Sequence, residues 1–198
     1  MTRNNAYFIS RSAQAAMRLL LTLVLALGVF ALAAPPAVAS APAPDKSTAN
    51  FEIDFMQDMI DHHAMAVEMA ELCLQKAVHT ELRALCQNII ATQTEEIQIM
   101  QSWLADWYGI TYEPEMTRGD MRKIEKLASL SGSEFEIAFM EMMIKHHTQA
   151  IQEAEKCVDR AYHPELVNLC ENIIATQSAE IEQMQTWLCA WYAICKES

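Results

Sequence analysis

A 58-residue stretch that occurs twice constrains this chain more than any other feature. Phe51–Tyr108 aligns without a gap on Phe135–Tyr192, 84 residues later, and 33 of the 58 positions are identical. The fold must therefore pack two like units. Within each copy apolar residues recur at three- and four-residue spacing: Phe55, Met59, Ile60, Ala66, Val67, Ala70 and Leu74, then Leu82, Leu85, Ile89, Ile97, Met100 and Leu104. That is the period of one helix face, and strand-like alternation is absent. The pattern breaks at Val78-His79-Thr80 and at Tyr162-His163-Pro164, where Pro164 suits a first helical turn. Each copy is expected to be an antiparallel helical hairpin, and the whole an all-α four-helix bundle.

Residues 1–39 read as a secretory leader. Arg3, Arg11 and Arg18 give a basic start, Leu19–Ala34 an apolar core, and Ala37-Val38-Ala39 a small-residue cleavage site. The apolar stretch is short for a membrane span, so no stable span is expected after cleavage. Residues 40–50 read as a flexible tether and 51–198 as the bundle, with repeats 51–108 and 135–192 and a linker over 109–134. Thr117–Leu127 suits one short helix within that linker, whose length permits a same-end return or a crossover along the bundle.

The net charge of −12 becomes more negative once the three leader arginines are lost. Such a surface disfavours nucleic acid and anionic lipid and favours cations. All six cysteines follow the leader, in a compartment (periplasm or outside the cell) where disulfides persist. Cys73 and Cys86 recur as Cys157 and Cys170, and read as staples, whereas Cys189 and Cys195 have no counterpart. No C-x-x-C or C-x-x-C-H occurs, which removes the sequence support for a thioredoxin-type pair or c-type haem.

Residues equidistant from a hairpin turn share a height. If Cys73 faces Cys86, then Ala66 faces Gln93, His63 faces Glu96, Met59 faces Met100 and Met56 faces Trp103. The second copy repeats the layers as Cys157/Cys170, Ala150/Gln177, His147/Glu180 and Met143/Met184. At 100° per residue, Met56, Met59 and His63 fall on one inward face. His62, Met65 and Met69 fall on an outer flank about a third of a turn away. The second copy has Gln149 and Glu153 in place of Met65 and Met69 but gains Met142, so the two flanks are expected to carry different thioether sets.

Thioether sulfur carries no proton or charge and suits polarisable Cu(I) or Ag(I), while imidazole adds a stronger donor. The candidate ligands are His62, His63, Met56, Met59, Met65, Met69 and Met100, then His146, His147, Met140, Met142, Met143 and Met184. Against this stand two plainer readings. Each inner histidine pairs with its glutamate, and methionine fills core gaps or adaptable partner surfaces.

The run Phe55-Met56-x-x-Met59-Ile60-x-His62-His63-x-x-Ala66, with Gln93-x-x-Glu96-Ile97-x-x-Met100, resembles the CopM-like proteins. Pro114-Glu115-Met116-Thr117, Met121 and Ser131-Gly132 ahead of Phe135 are similar too. These proteins form a bacterial family of a domain of unknown function. The resemblance implies a ferritin-like four-helix bundle and a periplasmic or secreted protein that binds copper, and silver, to protect against excess. A copper carrier must also dock on its recipient, so besides metal ions a periplasmic copper exporter or acceptor protein is an expected partner, and catalysis is not expected because no Ser/His/Asp or free Cys/His constellation emerges.

Two alternatives compete: a structural bundle that binds a partner helix, and a di-iron or di-manganese oxidase. The oxidase needs Glu-x-x-His motifs, yet Met59, Ile60, Met143 and Ile144 stand three residues before the four histidines. N-terminal sequencing of the exported protein is expected to begin at Ser40; a chain still beginning at Met1 means the leader is retained as an anchor.

Overall fold

Residues 41–195 are described in the computed structural model and form five α-helices, with no strand among the described residues. Helices α1 (Lys46–Lys76) and α2 (Thr80–Tyr108) make one hairpin, and α4 (Gly132–Arg160) and α5 (Pro164–Tyr192) the other. A short helix, α3 (Arg118–Ala128), lies in the connection and is capped by the Thr117 hydroxyl, which accepts from the Asp120 N–H at 3.1 Å. The expected leader and its cleavage site lie outside the described residues.

Disulfides Cys73–Cys86 and Cys157–Cys170 staple the hairpins next to their turns, with Cα–Cα distances of 6.2 and 6.3 Å. Each closes a loop short enough that chain entropy alone gives about 3 kcal/mol. The unmatched pair is also bridged: Cys189–Cys195 locks the C-terminal end of α5. The hairpin register follows from the staples. His63 Nε2 lies 2.7 Å from Glu96 Oε2, and His147 Nε2 lies 2.6 Å from Glu180 Oε2.

Two buried carboxylates set how the hairpins dock. The first N–H groups of a helix have no partner within it, and neither α2 nor α5 has a side-chain cap of its own. Glu136, from α4, reaches across to accept from Val78 N–H at 2.6 Å and His79 N–H at 2.8 Å. Glu52, from α1, does the same for Tyr162 and His163 at 2.7 and 3.0 Å. The second oxygen of each acid takes a ring Nδ1 and a tyrosine hydroxyl: His163 and Tyr108 on Glu52, His79 and Tyr192 on Glu136. Negative charge at a helix N-terminus is also favoured by the helix dipole.

This reciprocity places the open end of each hairpin against the turn of the other, so α1 runs antiparallel to α4. The connection after α2 must then traverse the bundle, which selects the crossover over the same-end return. Two apolar cores result. One joins the turn of the first hairpin to the open end of the second (Cys73, Leu82, Cys86, Phe135, Phe139, Met184), and the other is its counterpart (Phe55, Met56, Met100, Cys157, Leu166, Cys170). Stacked rings close the ends: Trp103–Trp107–His163 at one and Trp187–Trp191–His79 at the other.

The tether expected over 40–50 is corrected. Lys46–Asn50 belong to α1, because Asp45 Oδ1 accepts from the Thr48 N–H at 2.9 Å and starts the helix early. Residues ahead of it also lie on the bundle, with the Ala41 carbonyl 2.9 Å from His163 Nε2. The linker is shorter than 109–134 by the first residues of α4, which begins at Gly132.

Burial alone would raise the Glu52 and Glu136 pKa values, but hydrogen bonds from tyrosine, histidine and backbone outweigh it and hold both below the ordinary carboxylate value. The folded chain therefore binds these protons more weakly than the unfolded chain. Their stabilisation is complete above about pH 4.5 and is lost as the pH falls below it. Glu52→Gln or Glu136→Gln is expected to lower stability at pH 7 by about 2 kcal/mol. Each should also flatten the acid side of a thermal-melt pH series.

Candidate metal centre

The two apolar cores do not meet. Reading along α1, Met59 and Ile60 belong to one core and Met65 and Ala66 to the other, with His62 and His63 between them. The same switch occurs across His146 and His147 in α4, across Gln93 and Glu96 in α2, and across Gln177 and Glu180 in α5. A polar layer thus cuts the bundle at mid-height. Among the described residues, every buried side-chain nitrogen or oxygen without a hydrogen-bond partner belongs to this layer: both ring nitrogens of His62 and His146, Nδ1 of His63 and His147, and the amides of Gln93 and Gln177.

At the centre, where α1 crosses α4, the His62 and His146 rings stack with centroids 3.5 Å apart. Burial, then the neighbouring His63 and His147, pushes the His62 pKa down to about 3. Burial and the His62 ring push His146 well below the usual histidine range. Both rings are neutral at physiological pH and keep a lone pair for a metal ion. His63 and His147 differ, since their Nε2 atoms face carboxylates. A carboxylate only accepts, so Nε2 donates and Nδ1 of a neutral ring carries the lone pair, as in histidines oriented for metal ligation by a second-shell acid.

The crossing leaves a groove on each side of the stacked pair, and the grooves are chemically unlike. One, a cavity of about 490 Å³, is lined by His62, His146, Met65, Met69 and Met142, with Asp58, Asp61, Lys145 and Gln149 beside them, and is walled by the linker around α3. The other, about 260 Å³, has His62 and Met59 with Asp58, Gln149 and Glu153. The expectation of two flanks, each with its own thioethers, is therefore corrected. Because α1 and α4 are antiparallel, Met142 projects into the same groove as Met65 and Met69; of the positions equivalent to these three, Asp58 and Gln149 border both grooves and Glu153 lies in the second. Nor are Met65 and Met69 peripheral, for both are buried and pack in a core.

The other methionines are distributed between the cores. Met56, Met59 and Met100 lie in one, and Met140, Met143 and Met184 in the other. Met59 and Met143 stand one turn before His63 and His147, at the edge of the polar layer. Trp103 and Trp187 stack on tryptophans at the bundle ends rather than near the histidines.

One feature of the site has no counterpart in the repeats. Asp61, beside His62, fastens the linker over the groove by accepting from the Tyr112 hydroxyl at 2.8 Å and the Glu115 N–H at 2.7 Å. Burial and this bond push the Tyr112 pKa up to about 12, so the hydroxyl stays a donor. No motif announces this contact, since residues 109–134 occur once. Among the described residues no three His, Cys, Asp or Glu side chains gather as a metal-binding group.

Unpartnered buried polar atoms each cost about 1–3 kcal/mol. Replacing both His62 and His146 by leucine is accordingly expected to raise the thermal midpoint of the metal-free protein. Calorimetry on the double variant checks this, and a lower midpoint would mean that the stacked imidazoles support the fold.

Comparison with known proteins agrees with this architecture. The family model described as "Domain of unknown function (DUF305)" matches residues 52–188. CopM solved in its Cu(I)-bound form is 35% identical, with a TM-score of 0.65 over 71% of this chain and 97% of that one. CopM in an Ag-bound form, obtained by co-crystallization, is 36% identical with a TM-score of 0.64 and the same coverage. A DUF305 fragment from Deinococcus radiodurans is 26% identical, with a TM-score of 0.64 over 75% of this chain and 98% of its own. Comparison with curated proteins gives no match. No helix among the described residues is long and apolar enough to cross a membrane. The chain belongs to the DUF305 family and is a CopM-like member of it.

Proposed function

We propose that this protein binds Cu(I), and Ag(I) as an ion of the same soft class, through imidazole and thioether side chains. The reading rests on one observation above others: His62 and His146 are stacked at the bundle centre, neutral, with no ring nitrogen partnered, at the head of a groove that gathers Met65, Met69 and Met142. These five residues are the primary ligands in this reading. His63 and His147 supply further donors through Nδ1, with Glu96 and Glu180 holding the rings. Met59 and Met143 lie within a turn of them, while Met56, Met100, Met140 and Met184 serve packing first. The similarity to CopM, solved with Cu(I), Cu(II) and Ag, supports the same reading.

The chemistry is binding rather than catalysis. Three disulfides suit an oxidising compartment, where cysteine thiolates are consumed and methionine and histidine remain usable soft donors. The protein would buffer copper outside the cytoplasm or pass it to an exporter or acceptor protein.

Anaerobic titration with Cu(I) against a chromophoric competitor tests the proposal. His62→Ala with His146→Ala is expected to weaken binding by about two orders of magnitude, each decade being about 1.4 kcal/mol. Met65→Leu with Met69→Leu and Met142→Leu should weaken Cu(I) binding while leaving Cu(II) binding by imidazole nearly unchanged. Unaltered Cu(I) affinity in the double histidine variant would overturn the assignment.

A further inference from the structure

The polar layer has a second side. On one side of the bundle α1 and α4 bring their imidazoles together. On the other, α2 and α5 stand farther apart, and the side chains between them are of another kind. A cleft there is lined by Thr92, Gln93 and Glu96 from α2 and by Thr176, Gln177 and Glu180 from α5. All six come from one stretch, Ala-Thr-Gln-x-x-Glu-Ile, which stands at 91–97 and again at 175–181. Residues three apart share a helix face, so each helix offers the same glutamine and glutamate to the gap.

Gln93 and Gln177 are each 2% exposed, and neither amide has a hydrogen-bond partner among the described residues. Both line a cleft that leaves no room for a water molecule as it stands. Burying such groups unpaired costs free energy, so a pair of amides held here points to a ligand rather than to packing. The Glu96 and Glu180 side chains are nearly buried as well, and each uses Oε2 for its histidine. That leaves Oε1 of each as a further donor to a cation. Two acids alone do not make a metal-binding group. With two amide carbonyls and two threonine hydroxyls beside them, the cleft offers six oxygen-bearing side chains and no sulfur.

We propose that the cleft between α2 and α5 binds a hard divalent cation, specifically Ca²⁺, through the side-chain oxygens of Gln93, Glu96, Gln177 and Glu180, with Thr92 and Thr176 completing the set. Calcium takes about six to eight oxygen ligands, amide carbonyls among them, at about 2.3–2.6 Å in flexible geometry. A bare ion drawn in at that distance needs less space than a water molecule held at about 2.8 Å. Magnesium keeps its water shell and demands a near-ideal octahedron, which a narrow cleft of long side chains does not supply. The two carboxylates match the charge of a divalent ion, and the net charge of −12 draws cations to the surface. The layer would then sort cations by softness, thioether and imidazole donors on one side and oxygen donors on the other. The inference stands apart from the copper reading, in which none of these six residues is a ligand.

Calorimetric titration of the copper-free, disulfide-intact protein with calcium chloride is the test. One saturable site per chain is expected, with Kd of about 0.1–1 mM, and magnesium should bind at least about tenfold more weakly. Gln93→Leu with Gln177→Leu should weaken calcium binding at least about tenfold while leaving Cu(I) affinity unchanged. This variant removes unpartnered amides, so it keeps its fold, which circular dichroism checks. Asp58→Asn with Glu153→Gln, in the second groove, should leave calcium binding as it was. Absence of saturable binding up to about 10 mM, well above the expected range, would overturn the proposal. So would a site that survives in the double glutamine variant or disappears in the Asp58 and Glu153 variant.

Discussion

The carboxylates of Glu52 and Glu136 decide the architecture, because each satisfies helix-terminal N–H groups that no residue of the receiving hairpin can reach. Both acids are fully buried, so their charge is tolerable only where hydrogen bonds converge on it. A parallel arrangement of the hairpins would strand two anions in apolar surroundings and leave two helix ends uncapped. The antiparallel arrangement, the crossing of α1 over α4 and the long path of the linker all follow from that one satisfied demand.

Its main effect lies at the centre of the molecule. Pairing the hairpins about a pseudo-twofold axis brings His62 onto His146 and places everything C-terminal of one against everything N-terminal of the other. The polar layer there is poor as a folding element, since it splits the apolar interior in two and leaves amide and imidazole groups without partners. The flanking cores and the two hairpin staples carry the stability that this layer lacks. Strain of this kind at a point where donor atoms converge is the pattern expected when a site is kept for a ligand rather than for the fold.

Much of this was legible in the chain itself. The 84-residue repeat and its three- and four-residue period fix the hairpins, and the repeated cysteines fix their register, down to His63 opposite Glu96 and His147 opposite Glu180. What a repeat does not contain is the relation between its copies. Nothing in Phe51–Tyr108 states whether its turn lies beside the turn or the open end of Phe135–Tyr192, so the sequence alone places Met142 on the second copy's flank and not beside Met65 and Met69. The signal for the docking was present but quiet: an acid at the second position of each copy, inside an otherwise apolar Phe-x-Ile, with His and Tyr repeated at the turn and the far end. The linker's hold on Asp61 left no periodic trace at all, and the early start of α1 depended on a single capping aspartate.

The unlike grooves bear on how such a molecule could arise. A self-associating single hairpin would obey strict rotational symmetry, so any methionine gained on one side would be duplicated on the other. Joining both halves in one polypeptide lifts that obligation. Residues 58 and 142, 65 and 149, and 69 and 153 are then free to diverge pairwise, and here they have done so in opposite senses on the two helices, gathering three thioethers in one groove while Asp58 and Gln149 border both.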